Sequence, residues 1–216
     1  MLLVRLFDES AAFLPAAGLE SFRADLGLTY AQAGTVLALI APGALIGTVF
    51  AAAADRYSRR VIAAGGAFGF AACLAAFAAG GSFLALAVAS LAMGVASTAM
   101  VDAAEVALVD MAGDDLRRFL ARGNLLATVG DVAGPALVTL TAVLGFSWRA
   151  SFWAGSILIG LYGLALAASP LPGPRREAVE DGRGSVRSTA RILRDVVRDR
   201  RVWVVGVMVA VMLLPS

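Results

Sequence analysis

Five carboxylates interrupt the otherwise apolar runs of this chain: Asp8 and Glu9 near its start, Asp102 and Glu105 close to its middle, and Asp131 further on. Ionisable groups inside segments long enough to cross a bilayer are costly and read as functional by default. Low dielectric disfavours the ionised form, which suits such groups to taking up and releasing protons, or to holding a cationic or polar solute. Asp102 and Glu105 are three residues apart and share one helical face. Arg5 stands one turn from both Asp8 and Glu9 and is their expected local partner. At ~1.5 Å per residue, Asp102 lies roughly 10 Å from Val109 and Asp131 roughly 12 Å from Gly123, so the two are expected at one depth. Asp8 and Glu9, about 15 Å from Leu19, fall near mid-membrane. A plainer reading places Asp102 and Glu105 at a wetted helix end, bonding neighbouring helices, and makes Asp131 a helix–helix contact.

Much other chemistry is excluded. Histidine is absent, which removes Ser–His–Asp and Cys–His catalysis, HExxH zinc sites and histidine-ligated haem together. The single cysteine, Cys73, lies in an apolar run and can form no internal disulfide. Thr128-Val129-Gly130-Asp131 has the outline of the GxGD sequence of intramembrane aspartyl proteases, but Thr128 stands in the first glycine's place. No phosphate loop, aromatic box or metal cluster is present, so the chain is read as a non-enzyme with neither cofactor nor metal.

The elements that carry these groups follow from composition. Of 216 residues, 60% are hydrophobic and 16% charged, with mean hydropathy +0.82. Soluble domains carry about a quarter charged residues, so the composition is that of an all-α polytopic membrane protein. Spans are expected over about 2–19, 31–54, 61–80, 83–109, 123–144 and 150–168. The first is weakened by its three charges, which also argue against a cleavable signal peptide. The fourth, roughly 40 Å long, exceeds a ~30 Å hydrocarbon core and must tilt or project. A polar connector is expected over 20–30 and a charged loop over 110–122, and Trp148 is expected at the interface. Residues 1–168 form a six-helix bundle, 169–201 a basic cytoplasmic linker with a surface amphipathic helix near 188–200, and 202–216 the start of a truncated seventh helix. Gly43/Gly47, Gly65/Gly69 and Gly130/Gly134 are small-xxx-small pairs that allow close helix approach, and Pro42 and Pro135 permit bends.

All eighteen basic residues are arginine, and fifteen of them fall in the loops after spans two, four and six. The opposite loops hold Arg23 and Arg149. Arginine-rich loops stay inside, so both ends of the six-helix block are expected in the cytoplasm, in a bacterial plasma membrane. The charge reads as topology and not as a nucleic-acid surface.

Between spans two and three, Ala51-Ala-Ala-Ala-Asp55-Arg56-Tyr57-Ser58-Arg59-Arg60 resembles the loop motif G-x-x-x-D-[RK]-x-G-[RK]-[RK] of the major facilitator superfamily. Asp55, Arg56, Arg59 and Arg60 match. Ala51 and Ser58 replace the glycines, and Ser58 would resist a positive φ. Gly130-Asp131-Val-Ala-Gly134-Pro135 is similar to the fifth-helix G-x-x-x-G-P of the family's antiporters, with Val138 and Thr139 where a glycine pair is expected. Ser90, four residues before Gly94, stands where the family's fourth helix carries an arginine. Phe146-Ser147-Trp148-Arg149 resembles the entry to its sixth helix.

The resemblance implies the N-terminal half of a secondary transporter that alternates access to the two sides of the membrane, with substrate held between two six-helix halves. It makes Asp55, Arg56, Arg59 and Arg60 a cytoplasmic gate. It places helices one and four on the central cavity, so that Arg5, Asp8, Glu9, Asp102, Glu105 and Asp131 become a candidate proton or substrate path. Expected partners are the lipid bilayer, an unidentified small solute, and a missing C-terminal half or a second copy of the chain. The competing expectation is a structural or regulatory six-helix protein that transports nothing, or a half that dimerises.

Overall fold

The structure is a computed structural model, described here for residues 3–53, 58–112 and 115–169. Its described residues form nine helices and no strand: α1 (Leu3–Ala12), α2 (Leu14–Ala17), α3 (Leu19–Asp25), α4 (Tyr30–Ala38), α5 (Ile40–Ala53), α6 (Arg59–Ala79), α7 (Phe83–Ala112), α8 (Leu116–Val143) and α9 (Trp148–Ala168). The all-α bundle expected from composition is what the chain forms. Residues 170–201 of the linker and the start of a seventh helix at 202–216 lie outside the described residues.

Among the described residues, five segments are long and apolar enough by themselves to cross a bilayer: Tyr30–Thr48, Arg59–Ala79, Phe83–Val109, Arg117–Val143 and Trp148–Ala168. The expected first span is made of α1, α2 and α3 in tandem. Pro15 supplies no N–H to the carbonyl of Ala11, which accounts for the break at Phe13. Backbone bonds nevertheless carry across it, from Phe13 N to Glu9 O at 3.1 Å and from Ala17 N to Phe13 O at 3.0 Å. The rod continues helically to Asp25, so the connector expected over 20–30 is reduced to a turn at 26–29. Pro42 likewise leaves Ala38 without its donor, and the second crossing breaks at Leu39 between α4 and α5.

Two further boundaries differ from the expectation. The charged loop at 110–122 is mostly helix, because α7 runs to Ala112 and α8 starts at Leu116. At 30 residues, α7 is about 45 Å long, well beyond a hydrocarbon core. Gly27 (φ 62°) and Gly145 (φ 78°) end α3 and α8 in the left-handed conformation that glycine accepts without a Cβ clash.

Close helix approach sets the packing. A Cβ on Gly47 would come within 2.8 Å of Val95 O and of Thr98 Cβ, pressing α5 onto α7. On α6 the contact glycine is Gly66, whose Cβ would lie 2.6 Å from Met100 N. Gly65, expected to share that role with Gly69, meets nothing within 4 Å. In lipid, where apolar burial drives little helix association, such backbone contacts are a main source of affinity. At the end of the bundle away from Arg59 and Arg117, Phe22, Phe77, Trp148 and Phe152 form an aromatic cluster, with Phe77 and Phe152 stacked at 4.5 Å.

Candidate functional site

The polar groups on α1 point two ways. Asp8 is 7% exposed and accepts a hydrogen bond from Ser97 Oγ on α7 at 2.6 Å. Arg5 and Glu9, one turn apart, share a face, with Arg5 Nη1 3.9 Å from Glu9 Oε1. The stronger partner of Arg5 is on another helix. Its Nε donates to Glu105 Oε1 at 2.6 Å, and its Nη2 reaches the same oxygen. Arg5 therefore ties α1 to α7 in addition to standing beside Glu9, one of its two expected local partners.

Asp102 is half-buried, and Glu105 and Arg5 are close enough to act on it electrostatically. Asp131 on α8 is close enough to act electrostatically on Glu9. α8 lies against α1 more than against α7, which sets Asp131 on the α1 side of the bundle, while Asp102 and Glu105 share α7 as their spacing implies. The glycine–proline motif produces that arrangement. A Cβ on Gly130 would stand 2.7 Å from Leu6 O and 2.9 Å from Glu9 Cβ, and one on Gly134 would stand 3.2 Å from Phe13 Cβ. Gly130 and Gly134 seat α1 on α8 and bring Asp131 beside Glu9. Pro135 lies inside α8 and supplies no N–H to the carbonyl of Asp131.

A cavity of about 20 Å³ opens beside the Arg5–Glu105 pair, bounded also by Leu108 on α7 and by Phe119 and Asn124 on α8. A space of that size holds about one water. It lies at the arginine-rich end of the bundle.

Ser97 was missed in the sequence, although a lone Ser-Thr pair in an apolar run one turn from Asp102 was there to be weighed. Two buried hydroxyls, Ser90 Oγ and Tyr162 OH, have no hydrogen-bond partner among the described residues. Tyr162 stacks on Phe7 of α1 at 4.7 Å between centroids.

Of the loop motif, Asp55 and Arg56 lie outside the described residues. Ser58 takes φ −59°, so its glycine-replacing position needs no left-handed backbone. Arg59 opens α6, and Arg60 Nη2 donates to Ala167 O near the end of α9.

A second polar cluster occupies the opposite end. Asp25, just inside the end of α3, accepts from Trp148 Nε1 at 3.1 Å and pairs with Arg149. The Arg149 guanidinium lies 4.4 Å from the Trp148 ring centroid and also reaches Gly80 O at 3.4 Å. Arg149, then Trp148, hold the Asp25 carboxyl below its ordinary range. Trp148 is 7% exposed, packed inside the aromatic cluster.

The sequence profile of the Major Facilitator Superfamily matches residues 2–215. The chain belongs to that superfamily, and it is an integral, multi-pass membrane protein. It is also similar to a chloramphenicol resistance protein of Streptomyces lividans, 35% identical over 154 residues. That match takes in 68% of this chain and 38% of the relative, so the chain spans well under half of the relative's length.

Proposed function

We propose that the chain supplies the N-terminal six-helix half of a proton-coupled secondary transporter, which alternates access together with a second six-helix half. The observation that carries this reading is the buried Asp8–Ser97 bond beside the Arg5–Glu105 pair. A protonatable carboxylate is held between the two helices that line the family's central cavity. The substrate is a small amphiphilic compound of the kind named for the Streptomyces relative, moved out of the cell against its gradient. Both ends of the six-helix block lie in the cytoplasm of a bacterial plasma membrane, with Asp55, Arg56, Arg59 and Arg60 acting as the gate on that side. The exposed apolar face of α8, with Leu125, Val129 and Val132, is where a second six-helix unit has room to lie. A second copy of the chain is the alternative occupant.

Chloramphenicol accumulation, measured in cells that lack their own exporters, tests the reading. Cells producing the chain together with a second six-helix half are expected to accumulate less drug. That difference should vanish with a protonophore and in Asp8→Asn. Equal accumulation with and without the protein, across a panel of amphiphilic drugs, contradicts it.

A further inference from the structure

Two grooves of similar size flank α6, and only one of them carries a charge. The first, of about 570 Å³, lies between α6 and α7 and is lined by Cys73, Ser82, Leu84 and Val88 among alanines, with no ionisable side chain but the thiol. The second, of about 530 Å³, lies between α6 and α9. Its walls are Val61, Ala64, Gly65 and Phe68 of α6 and Ala167 of α9, and Ser58 and Arg60 complete it at the start of α6. Val61 is 64% and Phe68 41% exposed, so this groove opens on the outside of the bundle, where a membrane protein meets acyl chains. Gly65 meets nothing within 4 Å and leaves the trough hollow.

Arg60 is held at the mouth of the second groove. Its Nη2 donates to Ala167 O, in the last turn of α9, where carbonyls lack partners within the helix. That bond fixes the guanidinium across the α6–α9 seam and leaves further N–H donors for an anion. Ser58 precedes α6, yet its side chain makes no cap bond, so its hydroxyl is also left to a ligand. A planar cation and a hydroxyl thus stand over an apolar trough. Guanidinium matches the geometry of phosphate oxygens, and basic pockets between membrane helices take anionic lipid head groups.

We propose that the α6–α9 groove binds one anionic phospholipid, its phosphate on Arg60 and Ser58 and an acyl chain along Val61, Gly65 and Phe68. Charge complementarity selects this occupant. A zwitterionic lipid offers the same chain, but its head-group cation offsets the phosphate, and no carboxylate lines the groove to receive that cation. The α6–α7 groove lacks a fixed charge and takes chains without regard to head group. This site goes beyond the transporter reading and needs no transport. Only the leaflet that supplies the lipid follows from the orientation proposed above.

The test is native mass spectrometry of the purified full chain, titrated with phosphatidylglycerol or with phosphatidylcholine of the same chains. Wild type is expected to retain one phosphatidylglycerol in preference to phosphatidylcholine. Arg60→Gln should weaken that binding about fivefold, and Arg60→Lys should keep part of it. Gly65→Leu, which fills the trough without touching a charge, should weaken it as well. Arg118→Gln removes an arginine on α8 that is 80% exposed, and Ala76→Leu crowds the other groove; each should change the preference by less than about twofold. Glycerol phosphate, a head group without chains, should not displace the lipid. Thermal melts confirm that each variant is folded. No preference in wild type, or equal losses in Arg60→Gln and Arg118→Gln, overturns the site in favour of diffuse charge. Unaltered binding in Gly65→Leu overturns it by leaving the trough empty or filled by the chain's own residues. Displacement by glycerol phosphate overturns it in favour of a soluble anion. Each of these outcomes leaves the transporter reading standing, and a protein that exports no drug yet shows the expected lipid pattern sinks that reading alone.

Discussion

Ser97 Oγ donates to Asp8 Oδ1 at 2.6 Å, joining α1 to α7 through a carboxylate that is almost wholly buried. A hydrogen bond to a charged group contributes about 1.5–3 kcal/mol, more than a neutral pair, and it fixes which carboxylate oxygen remains open to a proton. Ser97→Ala is expected to lower proton-driven turnover roughly tenfold, with Ser97→Thr restoring most of it. Initial rates in proteoliposomes check this, and unchanged rates in Ser97→Ala would show the bond to be incidental.

Neighbouring glycines on α6 make a sharp packing test. Gly66 has no room for a methyl group against Met100, whereas Gly65 has open space. Gly66→Ala should cost about 1–3 kcal/mol through displacement of α7. Gly65→Ala should be neutral or stabilising by up to about 1 kcal/mol through helix propensity. Thermal melts in detergent distinguish the two, and equal losses would contradict the packing described.

Asp25 gives a pH dependence of definite sign. Its carboxyl is held below the ordinary range by Arg149 and Trp148. The unfolded chain therefore binds its proton first as pH falls. The contribution of Asp25 is fully present above about pH 4 and is lost as pH drops further through the lowered folded value. Asp25→Asn should flatten the acid limb of the stability profile below about pH 4 and lower Tm modestly near neutrality. An acid limb identical to wild type would remove Asp25 from the account.

The buried hydroxyls predict the opposite of most core changes. Ser90 Oγ has no partner among the described residues, and leaving such a group unpaired costs about 1–3 kcal/mol. Ser90→Ala should therefore hold or raise Tm. A clear fall would show that the hydroxyl has a partner in the working protein.

Crossing segments and the arginine pattern were legible in the sequence because each is a local property: apolar length, and charge between runs. The Asp8, Glu9, Asp102, Glu105 and Asp131 set was legible for the same reason, since a carboxylate in an apolar run stands out alone. Its pairing was not. Arg5 is close to Asp8 and Glu9 in the chain, but its bond to Glu105 depends on how α1 rotates against α7. That rotation is set by α1's seat on Gly130 and Gly134. The Asp25–Trp148–Arg149 cluster escaped notice because its members sit at helix ends far apart in sequence, brought together only by the folding of the bundle. Breaks at Phe13 and Leu39 follow from Pro15 and Pro42, yet a proline in a membrane helix bends as often as it interrupts, and the neighbouring helices decide which.

Substrate-evoked proton movement tests the central claim most directly. The chain, produced together with a second six-helix half, is reconstituted into liposomes holding a pH-sensitive dye, and chloramphenicol is added without an imposed gradient. Wild-type protein is predicted to move protons opposite to the drug, with the signal lost in Asp8→Asn and abolished by a protonophore. Drug flux with no accompanying change in internal pH, or the same proton signal in Asp8→Asn, would contradict the account.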